Sequence, residues 1–294
     1  MADPTSATIA DPLEAMPPAE RVNYATGVLL DADDFRDEQT YHRARLARVL
    51  AAMAGFGTLA GLRVIPPAAD DAELELHVAP GIAIDRYGRL IEIPEPWCIR
   101  IARWFAGQST AQLRAAVQRA PRVPVPVAVV VDVFLGALSC GRAKTPAFAA
   151  GPFDALDAVV PARIAETASL ELVPRAEGGP DPIPTPRNFW PAASATDEQR
   201  LQAVLDSWES GTAATSSDGG LDPLAEHVVG HNTAAVLLAR VTIPVTLAVA
   251  APPEARPALD MTQRVSVDNS VRPFIFMPGK WLGRAFTAEP LIRP

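Results

Sequence analysis

The alternation of apolar and polar positions changes period along the chain, and each change marks an element. Phe35, Gln39, His42, Leu46, Val49 and Met53 follow one another at spacings of 4, 3, 4, 3 and 4, a heptad-like helical seam whose first half is partly polar. Asp31 precedes it as an N-cap with Asp34 three residues on, and acids at 33, 34 and 37 meet the positive end of the helix dipole. Arg43, Arg45 and Arg48 lie toward the other end, and Gly55 and Gly57 stop the helix, Gly55 as a left-handed terminal residue.

From residue 58 the period becomes two. "TLAGLRVI", then Leu74, Leu76 and Val78, then Ile82 and Ile84, then Leu90, Ile91 and Ile93, are separated by "PPAADD" and "DRYGR", which places turn residues where strands reverse and predicts an antiparallel meander. "STAQLRAAVQR", 109–119, reads as a short amphipathic helix capped by Ser109 or Thr110. "VPVAVVVDVFLGAL", 125–138, is the most apolar run and reads as a central strand buried on both faces. Asp132 inside it calls for a partner or for an exposed strand edge, because an unpaired buried carboxylate is strongly unfavourable, and Arg163 is the partner predicted. "RIAETASLELV" and "TAAVLLARVTIPVTLAVA" (233–250) read as further strands, and "TDEQRLQAVLDSW" as a helix capped by Thr196 or Asp197.

The expected fold is therefore α+β and mainly β: an N-terminal arm and long helix, then an antiparallel meander or sandwich with short helices. Four stretches are expected: an extended or disordered arm at 1–22, a turn plus long amphipathic assembly helix at 23–57, a β-rich core at 58–175, and a loop-rich, β-containing region with a docking tail at 176–294. The arm is Pro- and Ala-rich and acidic, with Ile9, Leu13 and Met16 able to fill small pockets on a partner.

Composition narrows the function classes. At 294 residues the chain can bury one large core or two modest ones, and 49% apolar residues with 30 prolines favour short strands and ordered loops. A net charge of −8 argues against a phosphate-tracking surface, so nucleic acid is not an expected partner. No secretory leader and no run of membrane-spanning length is legible, which predicts synthesis in the cytoplasm without a direct membrane span. Cys98 and Cys140 stand far apart without a second ligand nearby, which suits two buried thiols better than zinc or a disulfide.

Candidate chemistry is sparse. His227 and His231 in "EHVVGHN" have the spacing of a helical metal pair, but Gly230 lies between them and no third ligand follows, which favours a loop-capping role. "GFGTLAG" leaves a helix and enters a strand, the reverse of a phosphate-cradling loop. The acids at 33, 34, 37 and 38 sit on first helical turns, where acids are expected in any case, and no G-x-S-x-G elbow occurs. No catalytic residue, cofactor site or metal site is predicted.

"NYATGVLLDADDFRDEQTYHRARL", followed by "GFGTLAGLRV" and "VAPGIAIDRYGRLIEIPEP", resembles a family of proteins encoded alongside phage-tail-like contractile injection systems. The likeness rests on Asn23, Tyr24, Thr26, Gly27, Asp34, Phe35, Arg36, Glu38, Gln39, Tyr41 and His42, and on Pro80, Gly81, Ala83, Ile84, Asp85, Gly88 and Arg89. "VVPARIAETASLELV" is similar to a later strand of that family, and "VLLARVTIP" and "VDNSVRP" echo it more weakly. Ala25 replaces the family's usual aromatic. The resemblance implies a structural, non-enzymatic role in the baseplate region, in cytoplasmic or released particles. It implies contacts with other baseplate, tube or sheath proteins, and a homo-oligomer within the assembly. The helix seam Phe35, Gln39, His42, Leu46, Val49 and Met53 is the expected assembly interface. Two other readings accompany it: a carbohydrate- or receptor-binding module using Trp190, Trp208, Phe274, Phe276 and Trp281 as stacking platforms, and an envelope-polymer hydrolase using Asp33 or Asp37.

Overall fold

A computed structural model describes residues 8–68, 71, 73–146, 159–176, 183–186, 196–199, 201–202, 220–247 and 255–275. In chain order, the N-terminal elements are β1 (Thr8–Ile9), a 3-10 turn (Pro12–Ala15) and the long helix α1 (Ala32–Ala54). Strands β2 (Gly57–Gly61), β3 (Val64–Ile65), β4 (Glu75–Val78), β5 (Gly81–Ile84), β6 (Leu90–Ile93) and β7 (Trp97–Arg100) follow, then helices α2 (Ile101–Gly107) and α3 (Thr110–Ala115). The remainder holds β8 (Val117–Arg119), β9 (Val127–Pro146), β10 (Val159–Pro174), β11 (Val236–Thr246), β12 (Ala258–Leu259) and β13 (Ser266–Asp268). The fold is mainly β, with antiparallel sheets and few helices. No helix among the described residues is long and apolar enough to cross a membrane.

β9 organises the largest sheet. One edge pairs with β11 and, farther along, with β1; the other pairs with β8 and then with the whole of β10. Its residues 128–135 are all buried, as a β-branched run in a central strand should be. Val129, Val131, Val133 and Leu135 enter the main core beside Leu62, Leu76, Ile93 and Ile101, while Ala128, Val130 and Phe134 pack into smaller clusters of their own. β11 and β13, from the stretch beyond residue 176, belong to this same sheet.

The strands expected as one meander are shared between two three-stranded sheets, β2-β5-β6 and β3-β4-β7. "TLAGLRVI" breaks because Gly61 and Leu62 both take positive φ, of 65° and 57°, which turns the chain out of one sheet and into the other. The stretch after β7 contains α2, which the pattern did not predict, and "STAQLRAAVQR" is helical only to Ala115 before becoming β8. Ser109 caps it with a reciprocal box to Gln112. The predicted helix near 196 is described only in part, with the Thr196 hydroxyl accepting from the Gln199 amide at 3.2 Å.

Asp132 does have cationic partners, but Arg163 is not one of them. It stands directly opposite Arg240 on β11, whose Nε and Nη2 donate to its two oxygens at 2.8 and 2.9 Å, and Arg175 Nη1 lies 3.4 Å away. Arg163 is placed on the exposed part of β10, opposite Arg142. The Asp132 arginines also secure the loops over this face: Arg240 donates to the carbonyls of Ile183 and Pro184, and Arg175 to that of Glu226. His227 completes the loop as the predicted cap, its Nδ1 accepting from the Leu224 amide at 3.0 Å and its Nε2 donating to the Ala235 carbonyl at 3.1 Å. Burial pushes its pKa down to about 4 despite that second bond, with Arg86 and Arg175 adding to the drop. His231 is held apart from it by an interaction with Glu171 at 3.0 Å.

Candidate assembly surface

α1 begins where its sequence says it should. The Asp31 carboxylate accepts from the amides of Asp33 and Asp34 at 2.8 and 3.2 Å, and Asp34 reaches back to the Asp31 amide at 2.9 Å. Three amide donors at the helix start are thus satisfied, those of Asp31 and Asp34 reciprocally, with an aspartate in the place usually taken by glutamate. Asp33 and Arg36 form an ion pair on the exposed first turn. At the far end Gly55 takes φ 71° and ψ −149°, positive as predicted but outside the left-handed helical well.

The face that α1 turns to the body is lined with small residues. Ala44 and Ala47 are buried there, and their size lets a backbone turn approach closely. The turn is "DRYGR", between β5 and β6. Gly88 in it has φ +83°, and a Cβ placed on it would lie 1.9 Å from the Ala47 carbonyl oxygen. Only glycine satisfies both the conformation and the contact. Beside it Asp85, fully buried, accepts from the amides of Tyr87 and Arg89 at 3.0 and 2.9 Å and from Arg89 Nε at 2.7 Å. The two separate sequence blocks that carry the resemblance, the helix and the hairpin, are therefore packed against each other.

The described part of the N-terminal arm closes over this junction on its own chain. β1 pairs with Ser139 and Cys140 of β9, and Leu13 is buried. Asp11 caps the 3-10 turn and also receives Arg43 Nη2 at 3.1 Å and Arg89 Nη1 at 3.4 Å, while Glu14 receives Arg89 at 2.7 Å. Arg48 donates to the Pro17 carbonyl at 2.7 Å. Arm, helix and hairpin are joined through one charged cluster. Nothing in the sequence pattern singled out Asp11 or Glu14 as its acids; Arg89 was legible only as part of the quoted motif.

With that face fixed, the predicted seam points outward. Phe35, Leu46, Val49 and Met53 are 55%, 62%, 49% and 71% exposed, and Gln39 and His42 are exposed between them. His42 Nε2 lies 2.9 Å from Glu38 Oε1. All six predicted residues are thus on one exposed helical stripe. The turn leading into the helix adds Tyr24, Val28 and Leu29, the last 95% exposed. Gly27 in that turn has φ +87° with open space around it.

Between arm and helix lies a groove of about 430 Å³, lined by Pro17, Glu20, Asn23, Asp34, Asp37 and Tyr41 among others. Asp34 there is committed to the helix cap. Of the late aromatics, Phe274 is described: it is partly buried, forms a bridge with Thr58 and lies under the Arg272 guanidinium at 5.0 Å. Trp190, Trp208, Phe276 and Trp281 lie outside the described residues. No cluster of three or more potential metal ligands occurs among the described residues. The chain matches no family model and no curated protein.

Proposed function

We propose that the chain is a structural subunit in the baseplate region of a phage-tail-like contractile injection system, working through protein–protein contacts and without catalysis. The observation that carries the reading is the outward apolar stripe of α1. A helix whose inner face is held by a glycine contact and a charged cluster, yet whose outer face exposes Phe35, Leu46, Val49 and Met53, keeps apolar area in water that a partner would cover. Gln39 and His42 within the stripe restrict which partner and register fit. The quoted motifs, and the packing of their two blocks into one unit, support the particle context.

The test is to tag the chain, purify it gently from its native host, and examine the eluate by negative-stain electron microscopy with mass spectrometry. Sheathed tubes carrying the chain at one end, with tube and sheath subunits alongside, are the expected result. A lone small oligomer without tail proteins would overturn the reading. The Phe35→Asp/Leu46→Asp variant should stay folded, because both positions are exposed, and should lose its companions.

A further inference from the structure

Beyond Gly141 the β9–β10 ribbon leaves the body. Residues 142–144 and 146 of β9 and 159–164 of β10 are exposed, and among the described residues no third strand joins this part, since β1 pairs only as far as Cys140. A lone two-stranded ribbon is marginal in water. This one also works against itself: Arg142 stands directly opposite Arg163, with Lys144 two residues on, and like charges across a strand pair repel. None of the three cations is in an ion pair with a described residue. The segments 141–146 and 159–164 contain no acid, and Val159, Val160 and Ile164 are exposed along them, Ile164 on the face opposite Arg163 and Val160 on the face opposite Val159. These two described segments are cationic and apolar on a chain whose net charge is −8.

The complementary surface is on the same chain. The first turns of α1 carry Asp31, Asp33, Asp34, Asp37 and Glu38 against the single base Arg36, around exposed Phe35 and next to exposed Leu29 and Val28. Within one molecule Asp33 pairs with Arg36, Glu38 meets His42, and Arg142, Lys144 and Arg163 pair with none of these acids.

Resting on the reading of the α1 stripe as an assembly surface, we propose that its N-terminal half receives the β9–β10 ribbon of a second copy of this chain. Cations meet acids while the exposed apolar positions on the ribbon face that carries those cations cover Phe35 and its neighbours. Such a contact joins two different patches: made reciprocally by two copies it closes a two-fold dimer, and made once per pair it is head-to-tail and closes into a ring or extends. Charge sets its register and makes it sensitive to salt.

The experiment is sedimentation velocity on the full chain across concentration and salt, with circular dichroism confirming that each variant is folded. Wild type should self-associate at low salt and less at high salt. Arg142→Glu/Arg163→Glu and Asp33→Lys/Asp37→Lys should each weaken association about ten-fold or more, and mixing the two should restore it as a mixed species. Wild type that stays monomeric at low salt, or reversed variants that associate like wild type or fail to restore one another, would overturn the proposal. A chain monomeric in isolation that still co-purifies with tail proteins sinks the self-contact while leaving the assembly role. A chain that does neither sinks both.

Discussion

Replacing Gly88 with alanine tests how tightly α1 is held to the body. The glycine has φ +83°, which an L-residue adopts at a cost of about 1 kcal/mol. The new Cβ would lie 1.9 Å from the Ala47 carbonyl oxygen and 2.6 Å from its carbon, whereas carbon–oxygen contacts settle near ~3.3 Å. Helix and turn must therefore separate by about 1.4 Å, an overpacking that costs about 1–3 kcal/mol. The sum is about 2–4 kcal/mol, or a Tm lowered by roughly 3–7 °C for a chain of this size. Gly27→Ala is the control: its φ is +87°, but nothing lies within 4 Å of the added carbon, so only the conformational part, about 1 kcal/mol, applies. Thermal melts followed by circular dichroism compare the two, and limited trypsin digestion at Arg45 and Arg48 of α1 should accelerate only in Gly88→Ala. Equal melting temperatures for the two variants would refute the close contact between helix and hairpin.

Other expectations follow from the buried face of the large sheet. Arg240→Met should destabilise the chain by about 2–3 kcal/mol in urea unfolding, because buried Asp132 loses its two short bonds from Arg240, whereas Arg163→Ala should change stability by less than about 0.5 kcal/mol. His227 is neutral in both states above pH 6.5; between there and about 4 the unfolded chain takes up a proton that the folded chain excludes. Its contribution is thus fully present above pH 6.5 and falls by up to about 3 kcal/mol as the pH approaches 4. Burial raises the pKa of neighbouring Glu226 and works in the opposite sense, so the effect is read as the difference in pH dependence between wild type and His227→Gln. Asn269 pairs with the backbone of Val64 like a strand residue, accepting from its amide and donating to its carbonyl, both at 2.9 Å. Asn269→Asp removes the donor and should cost about 1–2 kcal/mol in the same unfolding assay.

Local rules were enough to find much of this molecule in its sequence. Asp31 and Asp34 announced the start of α1, Ser109 the start of α3, and the β-branched run around Val129 a strand buried on both sides, because each signal is carried by residues a few positions apart. The six positions of the α1 stripe were legible for the same reason. What was not legible depends on distant pairs. Arg163 was nearer in sequence to Asp132 than Arg240, but register decides which guanidinium faces the carboxylate, and Arg240 lies 108 residues on. Asp11 and Glu14 looked like ordinary acids of a polar arm until Arg43 and Arg89 came within reach of them. The break at Gly61 and Leu62 was hidden because a positive φ at leucine has no sequence signature. The exposed ribbon was hidden too, since "RAKTP" and "VVPARI" continue two strands whose inner halves are buried.

Whether the outer stripe of α1 is covered in an assembly can be read at Met53. It is 71% exposed, and Met261, at 56%, provides an internal reference on another part of the chain. Mild peroxide treatment followed by peptide mass spectrometry compares the rate of sulfoxide formation at both positions in the isolated chain and in the complex purified from its host. Met53 is expected to oxidise readily in the isolated chain and to be protected in the complex, with Met261 reacting alike in both. Equal oxidation of Met53 in the two preparations would contradict that coverage.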